Sequence, residues 1–276
     1  MEKRESGNGK RKLYMMLTVL FCIGFVVSIV FFIRGEMVKK AANDQYQELA
    51  ESVLETEQIV TEKPIIETEK LEGLKALGIS IPDLELDWKV LEKQNEDIYS
   101  WIYIPGTNVN YPVLQHETEN DYYLERNLDH SQGLPGCIYT QKLNAMDYSD
   151  RNTVLYGHNM KNGTMFKTLH NYSDSAFFNE NRYIYIYTQE KVLAYEIYGA
   201  CEVSNAHLLY KYDFTTNDGV TEFLGDLAAE RGMGNQIAEE LEVTEEAKII
   251  TLSTCISSKP NHRWIVVGVL LGTEEL

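Results

Sequence analysis

Thr251-Leu252-Ser253-Thr254-Cys255 is a β-prone run that stops at a cysteine, and eight residues further on Arg263 opens a second run, Trp264-Ile265-Val266-Val267. Pro260 and Asn261 lie between them. The pattern predicts that the chain turns back and sets two antiparallel strands side by side, so that Cys255 and Arg263 face each other across the loop mouth. A third run, Leu155-Tyr156, stops at Gly157-His158-Asn159-Met160 and turns through Asn162-Gly163. The thiolate is the nucleophilic form of cysteine, and a neighbouring imidazolium and guanidinium stabilise it. The guanidinium can also bind the oxyanion that forms when a thiolate attacks a carbonyl. Taken alone, a cysteine or histidine at a strand end is more often a packing residue than a catalyst. A Cys, a His and an Arg, each at a strand terminus, make the stronger case.

Working outward, the texture from about Pro82 to the end is that of one folded domain. Strand-like segments recur at Trp101–Ile104, Val109–Leu114, Cys137–Thr140, Thr153–Tyr156, Tyr183–Thr188, Val192–Val203, Lys248–Thr254 and Trp264–Leu271, with turn residues between them. Helical spacing is expected over Leu84–Tyr99, Met165–Tyr172 and Val220–Arg231. The fold class is therefore mainly β, an eight-stranded barrel or sandwich with accessory helices.

Toward the N-terminus the charge changes sign. The 276-residue chain has 25 Lys+Arg and 42 Asp+Glu, a net charge of −17, yet its first 40 residues carry a net +5. That overall acidity excludes a nucleic-acid backbone as the main partner. Leu13 to Ile33 is 21 residues without a charge, flanked by Lys10-Arg11-Lys12 and Arg34, and at about 1.5 Å per residue it spans the roughly 30 Å of a bilayer core. A cleaved signal peptide is disfavoured because Arg34-Gly35-Glu36 follows with no small-residue cleavage pattern. The expected organisation is a cytoplasmic tail (1–12), a single-pass anchor (13–33), an acidic, partly helical spacer interrupted at Pro64 (34–81), and an extracellular domain (82–276). The spacer's apolar residues, including Leu49, Val53, Leu54, Ile65, Ile66 and Leu71, are too sparse to predict a core of their own.

These residues resemble a known family. Thr251 to Cys255, followed by an Arg that opens a final hydrophobic strand, is similar to the signature of the sortases, the membrane-anchored cysteine transpeptidases of Gram-positive bacteria. Tyr156-Gly157-His158 with Thr164-Met165-Phe166 resembles the histidine region of class B sortases, as do Trp101 to Thr107, Tyr111 to Gln115 and Asn120 to Leu124. The ordered set runs from about Leu84 to Leu271. The resemblance implies a sortase-type barrel in which Cys255 attacks a Thr–Gly or Thr–Asn type bond in the C-terminal sorting signal of a secreted protein and forms an acyl-enzyme. His158 is then the general acid and base, and Arg263 holds the carbonyl and its oxyanion. The acyl acceptor is an amine of a peptidoglycan precursor or a pilin, and no cofactor or catalytic metal is required. Ser253, Thr254, Tyr123 and Asn127 are carried over as substrate-binding candidates, although Tyr123 and Asn127, expected to be exposed, read equally well as ordinary loop residues.

Two departures from the family pattern stand out. Some class B members have an acidic residue two positions after the Cys, where this chain has Ser257, and some have a longer Cys-to-Arg loop. Elsewhere, Cys137 and Cys201 fall in strands and read as buried thiols in preference to a disulfide, and Cys22 lies in the anchor. His116 with Glu117, Glu119 and Asp121 matches no zinc or calcium spacing and reads as a hydrated loop. His130, His170, His207 and His262 have no partner spacing, although His262 adjoins Arg263. Two further readings stay open on the residues alone: a surface cysteine protease that lets water resolve the acyl-enzyme, and a non-catalytic binding module on a stalk.

Overall fold

A computed structural model describes residues 5–54, 74, 79–230, 232–241 and 243–276. Among these residues the chain forms strands β1 (Ile98–Tyr103), β2 (Asn110–Leu114), β3 (Ile138–Thr140), β4 (Asn152–Tyr156), β5 (Tyr183–Tyr187), β6 (Lys191–Ser204), β7 (Gln236–Ile237), β8 (Ile249–Ile256) and β9 (Lys259–Glu275). The sheet order is β5-β1-β2-β3-β4-β8-β9-β6, and β5 also pairs with β6, so these eight strands close into a barrel. The two-residue β7 adds only to β6, at Gly199 and Ala200, and stays outside the ring. β2–β3 and β4–β8 are parallel and the other pairings are antiparallel. Closure removes the exposed edges that an open sheet would have to protect.

Strand alternation sorts side chains between two apolar clusters. Leu155, Ile250, Leu252, Trp264 and Val266 belong to the cluster that includes Trp101 and Ile102. Their neighbours Val154, Ile249, Ile265 and Val267 belong to a second cluster with Val220, Phe223, Leu224 and Leu227. Those last four lie on one face of the helix Asn217–Ala229, whose N-terminus is capped by Thr216 accepting from Gly219 N–H. The sheet in this region is therefore buried on both faces, as expected where strands run parallel. The expected end of that helix, Arg231, lies outside the described residues.

Two expectations change. The helical spacing over Leu84–Tyr99 yields a helix only at Trp88–Gln94, capped by Asp87. Asn95 then leaves the helix in an extended conformation, its side chain accepts from Asp97 N–H, and Ile98 and Tyr99 begin β1. The second change concerns the spacer. Helix α1 runs unbroken from Glu5 to Leu54, and its stretch Arg11–Ser52 contains a segment long and apolar enough to cross a membrane. Ala42, Tyr46 and Leu49, one stripe of this helix, are buried, and Tyr46 and Leu49 join the main core. The Tyr46 hydroxyl donates to Gly136 O at 2.7 Å, and its ring meets Tyr111 edge-on at 5.6 Å. Few apolar residues are enough here because the barrel supplies the rest of the buried surface. Pro64, Ile65, Ile66 and Leu71 lie outside the described residues, as do the side chains of Val53 and Leu54.

Cys137 and Cys201 are both buried and not bridged; they belong to different clusters. Burial pushes the Cys137 thiol up to about 12. In the full chain in detergent, iodoacetamide at pH 8 should therefore modify exposed Cys255 and spare Cys137 until denaturant is added, as read by peptide mapping. Tyr46→Ala should lower stability by about 3 kcal/mol or more, and Tyr46→Phe, which keeps the ring, by about 1 kcal/mol. Thermal unfolding measures both, and unchanged Tm values in both variants would contradict docking of α1.

Candidate active site

β4 and β8 run parallel in the register Asn152↔Ile249 to Tyr156↔Ser253, so both strands end at the same rim of the barrel. The next residues stay in step. Gly157 N–H donates to Ser253 O at 3.2 Å, and Thr254 Oγ1 donates to Gly157 O at 2.7 Å. Glycine lets the chain pass close to Phe166 at 157: a Cβ there would lie 2.7 Å from Phe166 Cδ2 and 2.8 Å from Phe166 Cγ, and the ring would have to move. His158 thus emerges beside Cys255. On the other side of β8, Cys255 is the direct antiparallel partner of Arg263. The expected facing of Cys and Arg is present, but the chain reverses at Ser257-Ser258, where Ser258 has φ 72°, and not at Pro260-Asn261.

Cys255 is exposed, whereas His158 and Arg263 are half-buried. His158 Nε2 is 2.7 Å from Leu124 O, a contact that requires the proton on Nε2. Arg263 Nη1 donates to Pro260 O at 3.1 Å and to His262 O at 2.9 Å. No carboxylate of the described residues pairs with this guanidinium, so its other N–H groups remain for a ligand. Cys255, His158, Arg263, Ser253, Thr254 and Leu124 line one concave pocket of about 350 Å³.

The remaining substrate-binding candidates sit elsewhere. Tyr123 and Asn127 are buried, not exposed, because both are tied into the protein. The Tyr123 hydroxyl donates to Asp97 Oδ2 at 2.6 Å, while Asn127 Oδ1 accepts from Gly136 N–H at 3.1 Å. They support the loop that presents Leu124 and do not line the pocket. His262 lies near Glu202, at 3.9 Å, and also lines no part of it. His116 stacks on Tyr122 at 3.9 Å and accepts from Glu119 N–H.

Sequence reasoning missed the far wall of the pocket. There Asp121 accepts from Gln141 Nε2 at 2.9 Å, and Gln141 Oε1 is 2.7 Å from His207 Nε2. Burial holds the His207 imidazole below its usual pKa. These residues come from three distant segments, and no spacing in the sequence links them. His170 was equally silent, yet its Nε2 lies 3.1 Å from Cys255 O.

The closed barrel with its three converging strand ends matches known proteins. The sortase domain family model matches residues 102–271. The chain is 30% identical to sortase B of Staphylococcus aureus over 183 residues, 66% of this chain and 73% of that protein. It is 29% identical to sortase B of Listeria monocytogenes, over 66% of this chain and 72% of that one. The crystal structure of Clostridium perfringens sortase B superposes with a TM-score of 0.59 at 28% identity, covering 66% of this chain and 98% of that chain. With its family domain, its relatives and its barrel in agreement, this chain belongs to the sortases, as a class B member and a cysteine transpeptidase.

Proposed function

We propose that the protein cleaves a C-terminal sorting signal of secreted proteins through an acyl-enzyme on Cys255 and passes the acyl group to a cell-wall precursor amine. One observation carries this reading: an exposed cysteine, a histidine two residues past the end of its parallel neighbour and an arginine opposite it on its antiparallel neighbour line one pocket. The Cys255 thiolate adds to the scissile carbonyl, and the oxyanion that forms takes N–H donors from Arg263. The tetrahedral adduct collapses to a thioester as His158 protonates the departing amine. The incoming amine attacks the thioester, gives its proton to His158 and leaves with the acyl group in a new amide, returning the thiolate. Ser253 and Thr254, which line the same pocket, contact the signal peptide.

The long apolar helix supports a single-pass anchor at Leu13–Ile33. The basic residues before it favour a cytoplasmic tail at 1–12 and an extracellular catalytic domain at 82–276, with 34–81 as the connecting segment.

The test uses the full chain in detergent with peptides containing a Thr–Gly or Thr–Asn bond, with and without triglycine or a diaminopimelate amine, and product identification by mass. The expected products are an acyl adduct on Cys255 without amine and an amide-linked product with it. Cleavage that never yields the amide-linked product would overturn transfer in favour of hydrolysis. Cys255→Ala should abolish both products, and activity surviving in it would remove Cys255 as the nucleophile. Arg263→Ala should lower kcat by about 10²-fold, the usual effect of removing an oxyanion donor.

A further inference from the structure

Along a strand, successive carbonyls point to opposite sides, so Ser253 O and Cys255 O both point toward β4. Ser253 O receives Gly157 N–H. One more rung of the same ladder would bring Asn159 N–H to Cys255 O. The chain turns away instead, and Asn159 pairs with Met165 in an isolated bridge. Side chains take the place of that rung. Asn159 Nδ2 donates to Cys255 O at 2.8 Å, and His170 Nε2 lies 3.1 Å from the same oxygen.

We propose that Asn159 and His170 are positioning residues for the transfer reaction, forming a clamp on the Cys255 carbonyl that fixes the thiol-bearing residue relative to His158. The inference rests on Cys255 being the nucleophile. Asn159 directly follows His158, so its bond to Cys255 O ties the candidate acid/base and nucleophile together through one side chain. The two clamping nitrogens are 3.0 Å apart, and the arrangement holds in either tautomer of His170. With the proton on Nε2, His170 donates to Cys255 O directly. With Nε2 bare, it accepts one proton of the Asn159 amide while the other goes to Cys255 O.

The mounting of His170 is rigid. Its ring stacks on Trp264 at 5.8 Å, and Trp264 Nε1 donates to Leu169 O at 2.8 Å. Trp264 is the strand partner of Thr254 and the neighbour of Arg263, so the short helical segment Phe166–Ser173, which carries His170, is braced against the same hairpin that carries Cys255 and Arg263. Burial, with a smaller effect from Lys167, lowers the His170 pKa, which keeps the ring neutral and suits it to hydrogen bonding. Asn159 Oδ1 is buried with no partner among the described residues, so the amide is oriented by its N–H₂ end. A carbonyl freed at this point would let the following turn and the thiol shift, and displacements of about 1 Å can cost about 10²-fold in rate.

The test compares Asn159→Ala, His170→Phe, which keeps a ring on Trp264 but has no nitrogen, and His170→Gln, which restores a donor. Cys255→Ala serves alongside them. The full chain in detergent is assayed for kcat and KM with a Thr–Gly or Thr–Asn peptide and triglycine, for iodoacetamide labelling of Cys255, and for Tm. Asn159→Ala and His170→Phe should lower kcat about tenfold or more with KM within about twofold, and His170→Gln should recover most of the loss. If both keep the parent kcat while Cys255→Ala is inactive, the clamp is overturned and the nucleophile stands. If kcat falls only in step with the folded fraction and His170→Gln recovers nothing, the clamp is again overturned. Activity in Cys255→Ala would instead overturn the nucleophile beneath it.

Discussion

The parallel pairing of β4 with β8 is the constraint on which the site depends. It sets Tyr156 beside Ser253, and the period of two along each strand then sets His158 beside Cys255. A slip of one residue in this register would turn the sulfur from the pocket face to the barrel interior. Burial of both faces resists such a slip: Val154 and Ile249 pack under the helix Asn217–Ala229 while Leu155 and Ile250 face the barrel interior. A buried hydroxyl–amide bond, Thr251 Oγ1 to Asn152 Oδ1 at 2.9 Å, pins the start of the same ladder. The geometry at the rim thus rests on packing several residues away.

The strands were legible because each has a β-rich run and a nearby turn signal, and the facing of Cys255 and Arg263 followed from two such runs around a short loop. What was not legible has a common cause. Tyr46 reads as one aromatic residue in a polar stretch until Gly136 and Tyr111, more than sixty positions away, are brought to it. Tyr123 reads as an exposed loop residue until Asp97 takes its hydroxyl. His170, Asn159, Gln141 and His207 are ordinary polar residues by spacing, and only tertiary structure makes them neighbours. The start of β1 failed for a local reason: seven residues are too few for helical periodicity to show where the helix Trp88–Gln94 stops.

The β8–β9 hairpin shows how a small irregularity makes an arginine available. Ile256 pairs with Lys259 across the Ser257-Ser258 turn, and a regular hairpin would next oppose Cys255 with Pro260, which has no N–H to donate. The register instead shifts, and Cys255 pairs with Arg263. Pro260, Asn261 and His262 are pushed out of the β8 ladder, and Asn261 O is held by Asn205 N–H at 2.9 Å. The carbonyls of Pro260 and His262 then accept from Arg263 Nη1 and fix one edge of the guanidinium. One bulge therefore places the arginine opposite the sulfur, supplies the acceptors that orient it, and leaves its other donors toward the pocket. A short Cys-to-Arg loop can accordingly present the same three groups without a long excursion, because the displaced residues act as the arginine's support.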